Sequence, residues 1–70
     1  MKGSEFIRKL RALAKSKGLY FEIVSHRGKG SHQTIFLGEA FTIIPNLKKE
    51  LSTGTLHEIC SQLKIKPNDL

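Results

Sequence analysis

The sequence contains little that could cross-link the chain or carry it through a membrane. Cys60 is the single cysteine among 70 residues, so no disulfide can form within the chain. Its apolar runs are far shorter than the roughly 18 residues that span a bilayer. Charged residues also recur every few positions near Met1, which is unlike a signal peptide. We therefore expect a reduced, cytoplasmic protein without a membrane span.

Residues for metal binding or covalent catalysis are equally sparse. The histidines His26, His32 and His57 and the scattered carboxylates form no H-x-x-x-H motif and no paired acidic motif. Cys60 falls on the apolar stripe of a predicted helix with no obvious base beside it, which favours a small core residue over a nucleophile. We expect neither a metal nor another cofactor.

Length and charge narrow the class of protein further. Seventy residues suffice for one small domain, which we assign to residues 1–70. Residues 1–35 carry eight basic and two acidic side chains, whereas residues 36–70 carry four of each, so the whole net charge of +6 lies in the first half. Without a strongly apolar amphipathic helix, a cationic half favours nucleic acid over membrane as its partner. An ordinary soluble basic surface is the alternative.

Helical periodicity appears near both ends of the chain. Apolar residues at helical spacing follow Ser4, which we predict as the cap of a first helix that Gly18 ends. Near the other end, Thr55 and Glu58 match a T-x-x-E capping box before a second apolar stripe. The second helix is therefore predicted to be capped at Thr53 or Thr55.

Aromatic and β-branched residues between these helices predict three strands. They cover residues 19–25, 32–37 and 40–44, with a glycine-containing loop after the first and a tight turn at Gly38-Glu39 after the second. The order α-β-β-β-α predicts an α+β fold. Because both helical stripes need a surface to bury, both helices should cover one face of a three-stranded antiparallel sheet.

Alternation along the strands assigns side chains to the two faces of this sheet. The helix-covered face is predicted to hold Leu19, Phe21, Ile23, Ile35, Leu37, Phe41 and Ile43. The open face is predicted to hold Tyr20, Glu22, Val24, His26, His32, Thr34, Phe36, Thr42 and Ile44. Small soluble domains seldom leave an apolar patch bare. Four of these open-face residues are therefore predicted to bind a protein partner: Tyr20, Val24, Phe36 and Ile44.

The loop before the second predicted strand combines charge, flexibility and a titratable group. Its residues are Arg27, Gly28, Lys29, Gly30, Ser31 and His32. Two glycines match neither the dinucleotide fingerprint nor the Walker loop, but they would let the backbone approach a phosphate closely. Arg27 and Lys29 would supply charge, and Ser31 a hydroxyl. We predict that this loop binds RNA, while simple turn flexibility would also explain its glycines.

His32 is the candidate catalytic residue. RNA can be cut by attack of its 2′-hydroxyl on the adjacent phosphate, and a neutral imidazole can take that proton without a metal. A neighbouring Lys or Arg would stabilise the developing charge. The alternative is a surface histidine at a strand start. His26 flanks the same loop and is either a second acid or base or an exposed strand end, whereas His57 is interpreted as surface.

Further contacts to the RNA backbone are predicted from two cationic segments. The polar face of the first helix carries basic residues, and a basic loop precedes the second helix. Phosphate contacts of this kind supply affinity without sequence preference. The residues concerned are Arg8, Arg11, Lys15, Lys48 and Lys49.

The order of several short motifs resembles the HicA toxin family. These motifs are Gly30-Ser31-His32 at a strand start, Pro45, Lys48-Lys49-Glu50-Leu51, and Gly54-Thr55-Leu56 at a helix start. The resemblance covers nearly the whole chain, from the predicted first helix to about Leu63. It implies a small ribonuclease of a type II toxin-antitoxin system, an mRNA interferase, with a fold like the double-stranded RNA-binding domain. It also implies neutralisation by a HicB antitoxin.

Carried over by position, the catalytic histidine of the family falls on His32. Gly30 and Ser31 correspond to its turn, and Lys48 and Lys49 to the basic loop of the family. The chain departs from the family in three respects. Asn46-Leu47 separates Pro45 from the lysine pair, Ser52-Thr53 stands where Pro-Lys is usual, and His26 has no counterpart in the motif.

A protein-interaction adaptor would leave His32 and the basic charge without a role, and two further hypotheses of different classes give them one. The first is an endoribonuclease toxin that cleaves mRNA with His32 as general base and without metal. The second is a non-catalytic module that recognises duplex RNA by shape and phosphate contacts. Thr53-Gly54-Thr55 stands where such a module would carry a dense lysine cluster, which favours the enzyme.

Overall fold

The chain folds in the predicted order α-β-β-β-α. A computed structural model describes residues 1–25 and 32–70. Its elements are helix α1 (Gly3–Lys17), strands β1 (Phe21–Ser25), β2 (Gln33–Leu37) and β3 (Ala40–Ile44), helix α2 (Thr53–Gln62) and a short 3-10 helix (Pro67–Asp69). The three strands form one antiparallel sheet in the order β1-β2-β3. The predicted α+β class and topology are confirmed.

Helix α1 is amphipathic and packs one face against the sheet. Phe6, Leu10 and Ala14 are buried at intervals of one helical turn and belong to the core. Gly18 ends the helix in the left-handed conformation, with φ of 67°, as predicted. Among the described residues, no helix is long and apolar enough to cross a membrane.

The start of α1 differs from the prediction. Ser4 is not the cap: the helix begins at Gly3, and Lys2 is the N-cap residue without a capping bond from its side chain. The N–H of Ser4 instead donates to the carbonyl of Leu47, at 2.9 Å. A backbone contact from a distant loop therefore takes over the role that we expected of a local side chain.

The start of α2 also differs, by one residue. The cap is Ser52, whose hydroxyl oxygen accepts from the N–H of Thr55 at 3.2 Å. The predicted cap at Thr53 or Thr55 is wrong, because both residues are already helical, and the first turn contains no acidic side chain. Thr55 takes part only as the partner of Ser52, with the two hydroxyl oxygens 2.9 Å apart.

The register of β3 corrects the predicted face assignment. Gly38-Glu39 is a two-residue turn, so Leu37 pairs with Ala40 and these two residues lie on the same face. The prediction had placed Leu37 on the same face as Phe41, which is one residue out of phase, and such a slip reverses a whole strand.

The exposures of the β3 side chains show this reversal. Thr42 and Ile44, predicted on the open face, are 2% and 0% exposed. Phe41 and Ile43, predicted in the core, are 58% and 50% exposed. The partner-binding role predicted for Ile44 is therefore wrong, because its side chain lies in the core.

A single core joins both helices to one face of the sheet. Its buried apolar members are Phe6, Ile7, Leu10, Ala14, Ile35, Leu37, Ile44, Leu51, Ile59, Cys60 and Leu63. The one polar side chain of β3 that enters this layer, Thr42, donates its hydroxyl to Oε1 of Gln62. Burial, and secondarily the charge of Asp69, raises the pKa of the Cys60 thiol. Cys60 is thus a core residue, as expected.

Candidate functional site

One cleft collects side chains from three separate parts of the chain. It has a volume of about 410 Å³ and lies where the end of the β2-β3 hairpin meets the start of α2. His32 lines it from the hairpin, Lys49 from the basic loop, and Ser52 and Thr55 from the helix. The remaining lining residues are Pro45, Asn46, Glu50 and Leu51.

The hairpin register positions His32. Gln33, the first residue of β2, pairs with Ile44, the last residue of β3. Continuing this register brings His32 and Pro45 together at the end of the hairpin, where both line the cleft. His32 itself is exposed. The predicted catalytic residue thus lies at the exposed end of the β2-β3 strand pair.

The basic loop is held in place by the first residues of the chain. The N–H of Gly3 donates to the carbonyl of Lys49 at 3.2 Å, and the N–H of Leu51 donates to the carbonyl of Met1 at 2.8 Å. Lys2 forms an antiparallel bridge with Glu50. The backbone on both sides of Lys49 is therefore fixed by residues that lie almost fifty positions earlier.

Gly3 is required for this close approach. A Cβ atom at this position would lie 2.9 Å from the Cα of Leu47, 3.0 Å from the carbonyl oxygen of Asn46 and 3.3 Å from a methyl group of Ile44. Two of these neighbours are backbone atoms, which cannot move without shifting the loop. Asn46 further shapes the loop, since its side-chain oxygen accepts from the N–H of Lys48 at 2.9 Å.

The electrostatics of the cleft favour an anion. Within the described residues, the Lys49 ammonium forms no ion pair, and the Glu50 carboxylate pairs with the amino group of Met1. The first turn of α2 carries no acidic side chain that would occupy its positive end. A cation, a helix N-terminus and an imidazole therefore converge, a combination that suits a phosphate group.

The other predicted RNA-binding residues do not line this cleft. Arg11 and Lys15 line a separate groove beside β1, where the Arg11 guanidinium lies 5.5 Å from the centre of the Phe21 ring. Arg8 borders another depression, with Lys2 and Glu5. Lys48 is exposed on the basic loop but is not among the residues that line the cleft. The structure thus joins Lys49 to His32 and leaves the cations of α1 on other surfaces.

Part of the predicted site lies outside the described residues. This applies to His26, Arg27, Gly28, Lys29, Gly30 and Ser31. Within residues 1–25 and 32–70, no group of three or more histidine, cysteine, aspartate or glutamate side chains could hold a metal ion.

The sequence analysis missed the contribution of Ser52 and Thr55. Ser52 follows a buried residue, Leu51, and a serine in that place is a typical cap, so the signal was present in the sequence. The capping-box pattern at Thr55 and Glu58 competes with this signal and predicts a later helix start.

The open face of the sheet is a second exposed surface with a different character. Its strand residues are Glu22, Val24, Thr34, Phe36, Phe41 and Ile43. Among them, Thr34 is buried and Phe36 is half-buried. The rings of Phe36 and Phe41 are in contact, with centroids 6.1 Å apart. Tyr20, directly before β1, is 58% exposed. Tyr20, Val24 and Phe36 thus remain available to a partner, and Phe41 and Ile43 take the place predicted for Ile44.

Comparison with known proteins identifies no relative of this chain. No protein-family profile, no curated protein and no solved structure matches the chain. Function is therefore inferred from the cleft, the charges and the motifs of the chain itself.

Proposed function

We propose that this protein is a HicA-like endoribonuclease toxin, an mRNA interferase that acts in the cytoplasm with His32 as general base. The observation that carries the proposal is the shared cleft of His32 and Lys49 at the N-terminus of α2. These two residues come from separate segments of the chain. The motif resemblance matches His32 to the catalytic histidine of the family and Lys49 to its basic loop. The α-β-β-β-α topology also agrees with that resemblance.

The chemistry needs no metal. A neutral His32 imidazole removes the proton of a ribose 2′-hydroxyl, and the 2′-oxygen attacks the adjacent phosphorus. Lys49 and the N–H groups at the start of α2 stabilise the negative charge that develops on the phosphoryl oxygens. The bond from phosphorus to the 5′-oxygen then breaks, and this oxygen takes a proton from water. The resulting hydroxide takes the proton from the His32 imidazolium, which restores the base. The products are a 2′,3′-cyclic phosphate and a 5′-hydroxyl.

A pair of histidine variants tests the proposal. We expect His32→Gln to lower RNA cleavage by about 100-fold or more, the usual range for loss of a general base. His57→Gln is the matched control, because His57 is exposed on α2 and does not line the cleft. The substrates are an RNA and the same sequence carrying 2′-O-methyl groups, which the mechanism cannot cut. Equal cleavage by both variants, or cleavage of the methylated strand, would contradict the mechanism.

A non-catalytic duplex-RNA-binding module is the second candidate. It is favoured by the position of Arg8, Arg11 and Lys15 on α1, away from the cleft. Such a module would bind RNA equally well with and without His32 and would leave the strand intact. Binding without any cyclic phosphate product would therefore replace the first proposal with this one.

The proposed partners are mRNA, bound at the cleft, and a HicB-like antitoxin on the open face. Support for the antitoxin comes from the apolar side chains of that face: Val24, Phe41 and Ile43 are exposed, and Phe36 is half-buried. RNA phosphates do not account for apolar residues, whereas a protein partner uses an apolar centre with a charged rim. Charged rim residues are available at Glu22 and Glu39.

A further inference from the structure

A groove of about 550 Å³ runs between helix α1 and the outer edge of β1. Strand β1 is an edge strand, because the sheet order is β1-β2-β3. Arg11 and Lys15 border the groove from α1, and the apolar side chains of Leu19, Phe21 and Ile23 border it from the strand side. The groove shares no lining residue with the His32 cleft. It is therefore a separate surface that the proposed reaction does not use.

One hydrogen bond shows which backbone groups of β1 face outward. The N–H of Gly38 donates to the carbonyl of Tyr20 at 2.8 Å, so the backbone groups of Tyr20 point toward β2. Successive residues of an antiparallel strand alternate in this respect. The backbone groups of Glu22 therefore also point toward β2, whereas the N–H and C=O groups of Phe21 and Ile23 point outward. Within residues 1–25 and 32–70, no helix or loop hydrogen-bonds to these outward groups.

Two cations lie beside this edge. The Arg11 guanidinium is 5.5 Å from the centre of the Phe21 ring, a contact that holds its charge next to the strand. Lys15 is exposed one helical turn further along α1. Neither cation forms an ion pair with another residue of the described part of the chain. The one acid that borders the groove, Glu22, has its side chain on the open face of the sheet. The helix side of the β1 edge is therefore positive.

We propose that the β1 edge binds an extended acidic peptide, which joins the sheet as an antiparallel fourth strand. Proteins commonly bind extended segments in this way, with main-chain hydrogen bonds for affinity and alternate side chains for specificity. The peptide exchanges two hydrogen bonds with Phe21 and two with Ile23. Its side chains opposite these two residues lie on the helix side, where Arg11 and Lys15 select acidic groups. The side chain between them lies opposite Glu22 on the open face and is apolar.

The edge suits a peptide better than a second copy of the chain or RNA. Pairing of two β1 edges would bring Arg11 and Lys15 of both copies together, and such charges are a common protection against self-pairing. RNA, the partner predicted for these two cations, would offer them phosphates. The outward carbonyls of Phe21 and Ile23 need donors, however, and a phosphate only accepts. A peptide strand presents donors and acceptors at the required spacing together with carboxylates for the cations.

NMR titration of the full chain with a short synthetic peptide of alternating Glu and Val tests the proposal. We expect the amide signals of Phe21 and Ile23 to shift, and their hydrogen exchange with solvent to slow as the peptide saturates the edge. Unchanged signals at millimolar peptide would overturn the proposal. A short 2′-O-methyl RNA is titrated in parallel. If the RNA shifts these two amides and the peptide does not, the groove is an RNA site and the proposed occupant is wrong.

Backbone methylation of the peptide separates strand addition from simple attraction of charges. Methyl groups on the Glu amides, which face β1 in the proposed arrangement, remove two donors, and we expect affinity to fall by about 10-fold or more. Methyl groups on the Val amides, which face solvent, are the matched control and should leave affinity within about twofold. Both peptides carry the same charge. Equal affinity of the two would show that no strand is added, contrary to the proposal.

A pair of charge reversals locates the binding site. Lys15→Glu replaces attraction with repulsion, and we expect the affinity for the Glu-Val peptide to fall by about 5-fold or more. Arg8→Glu is the control, because Arg8 is exposed on α1 but does not line the groove. Circular dichroism checks folding, and if Lys15→Glu unfolds, Lys15→Gln decides. Equal loss in the control would assign the binding to net charge and overturn the proposal. These measurements involve neither RNA cleavage nor the antitoxin, so their failure would leave the proposed function unaffected.

Discussion

The cleft and the open sheet face differ in how the chain builds them. The cleft gathers His32, Lys49 and the start of α2, and depends on contacts between distant segments. The open face is largely apolar and follows from strand register alone. A change in one surface should therefore leave the other nearly intact, because no strand residue of the open face lines the cleft. This independence is what makes the two roles separable by mutation.

The largest expected effect is a separation of partner binding from cleavage. We predict that Phe36→Asp weakens the antitoxin complex by about 100-fold or more, since a charge buried at an interface without a partner costs several kcal/mol. RNA cleavage by the same variant should stay within about twofold of the original, because Phe36 does not line the cleft. Calorimetric titration measures the affinity for the antitoxin, and a cleavage assay on the same preparation measures the activity on RNA.

Either of two results would contradict this separation of the two surfaces. If Phe36→Asp abolished cleavage with folding intact, the open face would take part in the reaction. If His32→Gln, rather than Phe36→Asp, abolished antitoxin binding, the partner would sit on the cleft.

A remote change should damage the cleft alone. Gly3→Ala introduces a Cβ atom at 2.9 Å from the backbone of Leu47, so the basic loop must shift. We expect unfolding free energy to fall by about 1–3 kcal/mol, the range for overpacking. Cleavage should fall by about 10-fold, because catalytic groups lose efficiency with displacements near 1 Å. Antitoxin binding to the open face should persist.

Gly54→Ala is the matched control for this experiment. It is also a glycine in the first turn of a helix, but a Cβ atom there would meet nothing within 4 Å. Its melting temperature should be unchanged or slightly raised, since alanine is the better helix former by up to about 1 kcal/mol. Equal damage from both variants would mean that the close contact of Gly3 is unimportant.

The two neighbouring lysines should differ in a smaller but measurable way. Lys49→Ala is expected to lower cleavage by about 10-fold or more through loss of charge stabilisation at the phosphate. Lys48→Ala should leave the catalytic step unchanged, because Lys48 does not line the cleft. Each change should reduce the slope of log affinity against log salt by about 0.7 if the lysine contacts one phosphate of a single strand. Affinity that does not depend on salt would rule out phosphate contacts by either residue.

The smallest expected effect concerns the core that lies between the two surfaces. Burial raises the pKa of the Cys60 thiol, so the folded state retains this proton to a higher pH than the unfolded state does. The thiol stabilises the fold fully below its ordinary pKa and loses that contribution as the pH rises through the raised value. The unfolding free energy, measured by denaturant titration above pH 9, should show this decline, and Cys60→Ala should remove it. An unchanged pH profile in that variant would assign the decline to another group.

Local patterns were sufficient to predict the elements but not all of their ends. The apolar spacing of α1, the stop at Gly18 and the span of β3 are confirmed, because each depends on residues a few positions apart. The starts of both helices were misplaced. At α1 the orphan N–H groups are satisfied by the distant loop at Leu47, a partner that no local pattern reveals.

The phase of β3 shows a different kind of failure. Its side-chain alternation is visible in the sequence, but two apolar sets, Phe41 with Ile43 and Ala40 with Ile44, compete for the same face. The two-residue turn decides between them by pairing Leu37 with Ala40. Register is thus a property of two strands together and cannot be taken from either one alone.

The sequence by itself determined the class of fold, the order of its elements and the choice of His32 as the candidate base. Only the tertiary structure decided that Lys49 and the start of α2 share a cleft with His32, and that Gly3 fixes the loop between them. The physical reason is range: helical and strand patterns reflect neighbours along the chain, whereas a site is assembled by backbone contacts between segments that meet only after the core has formed.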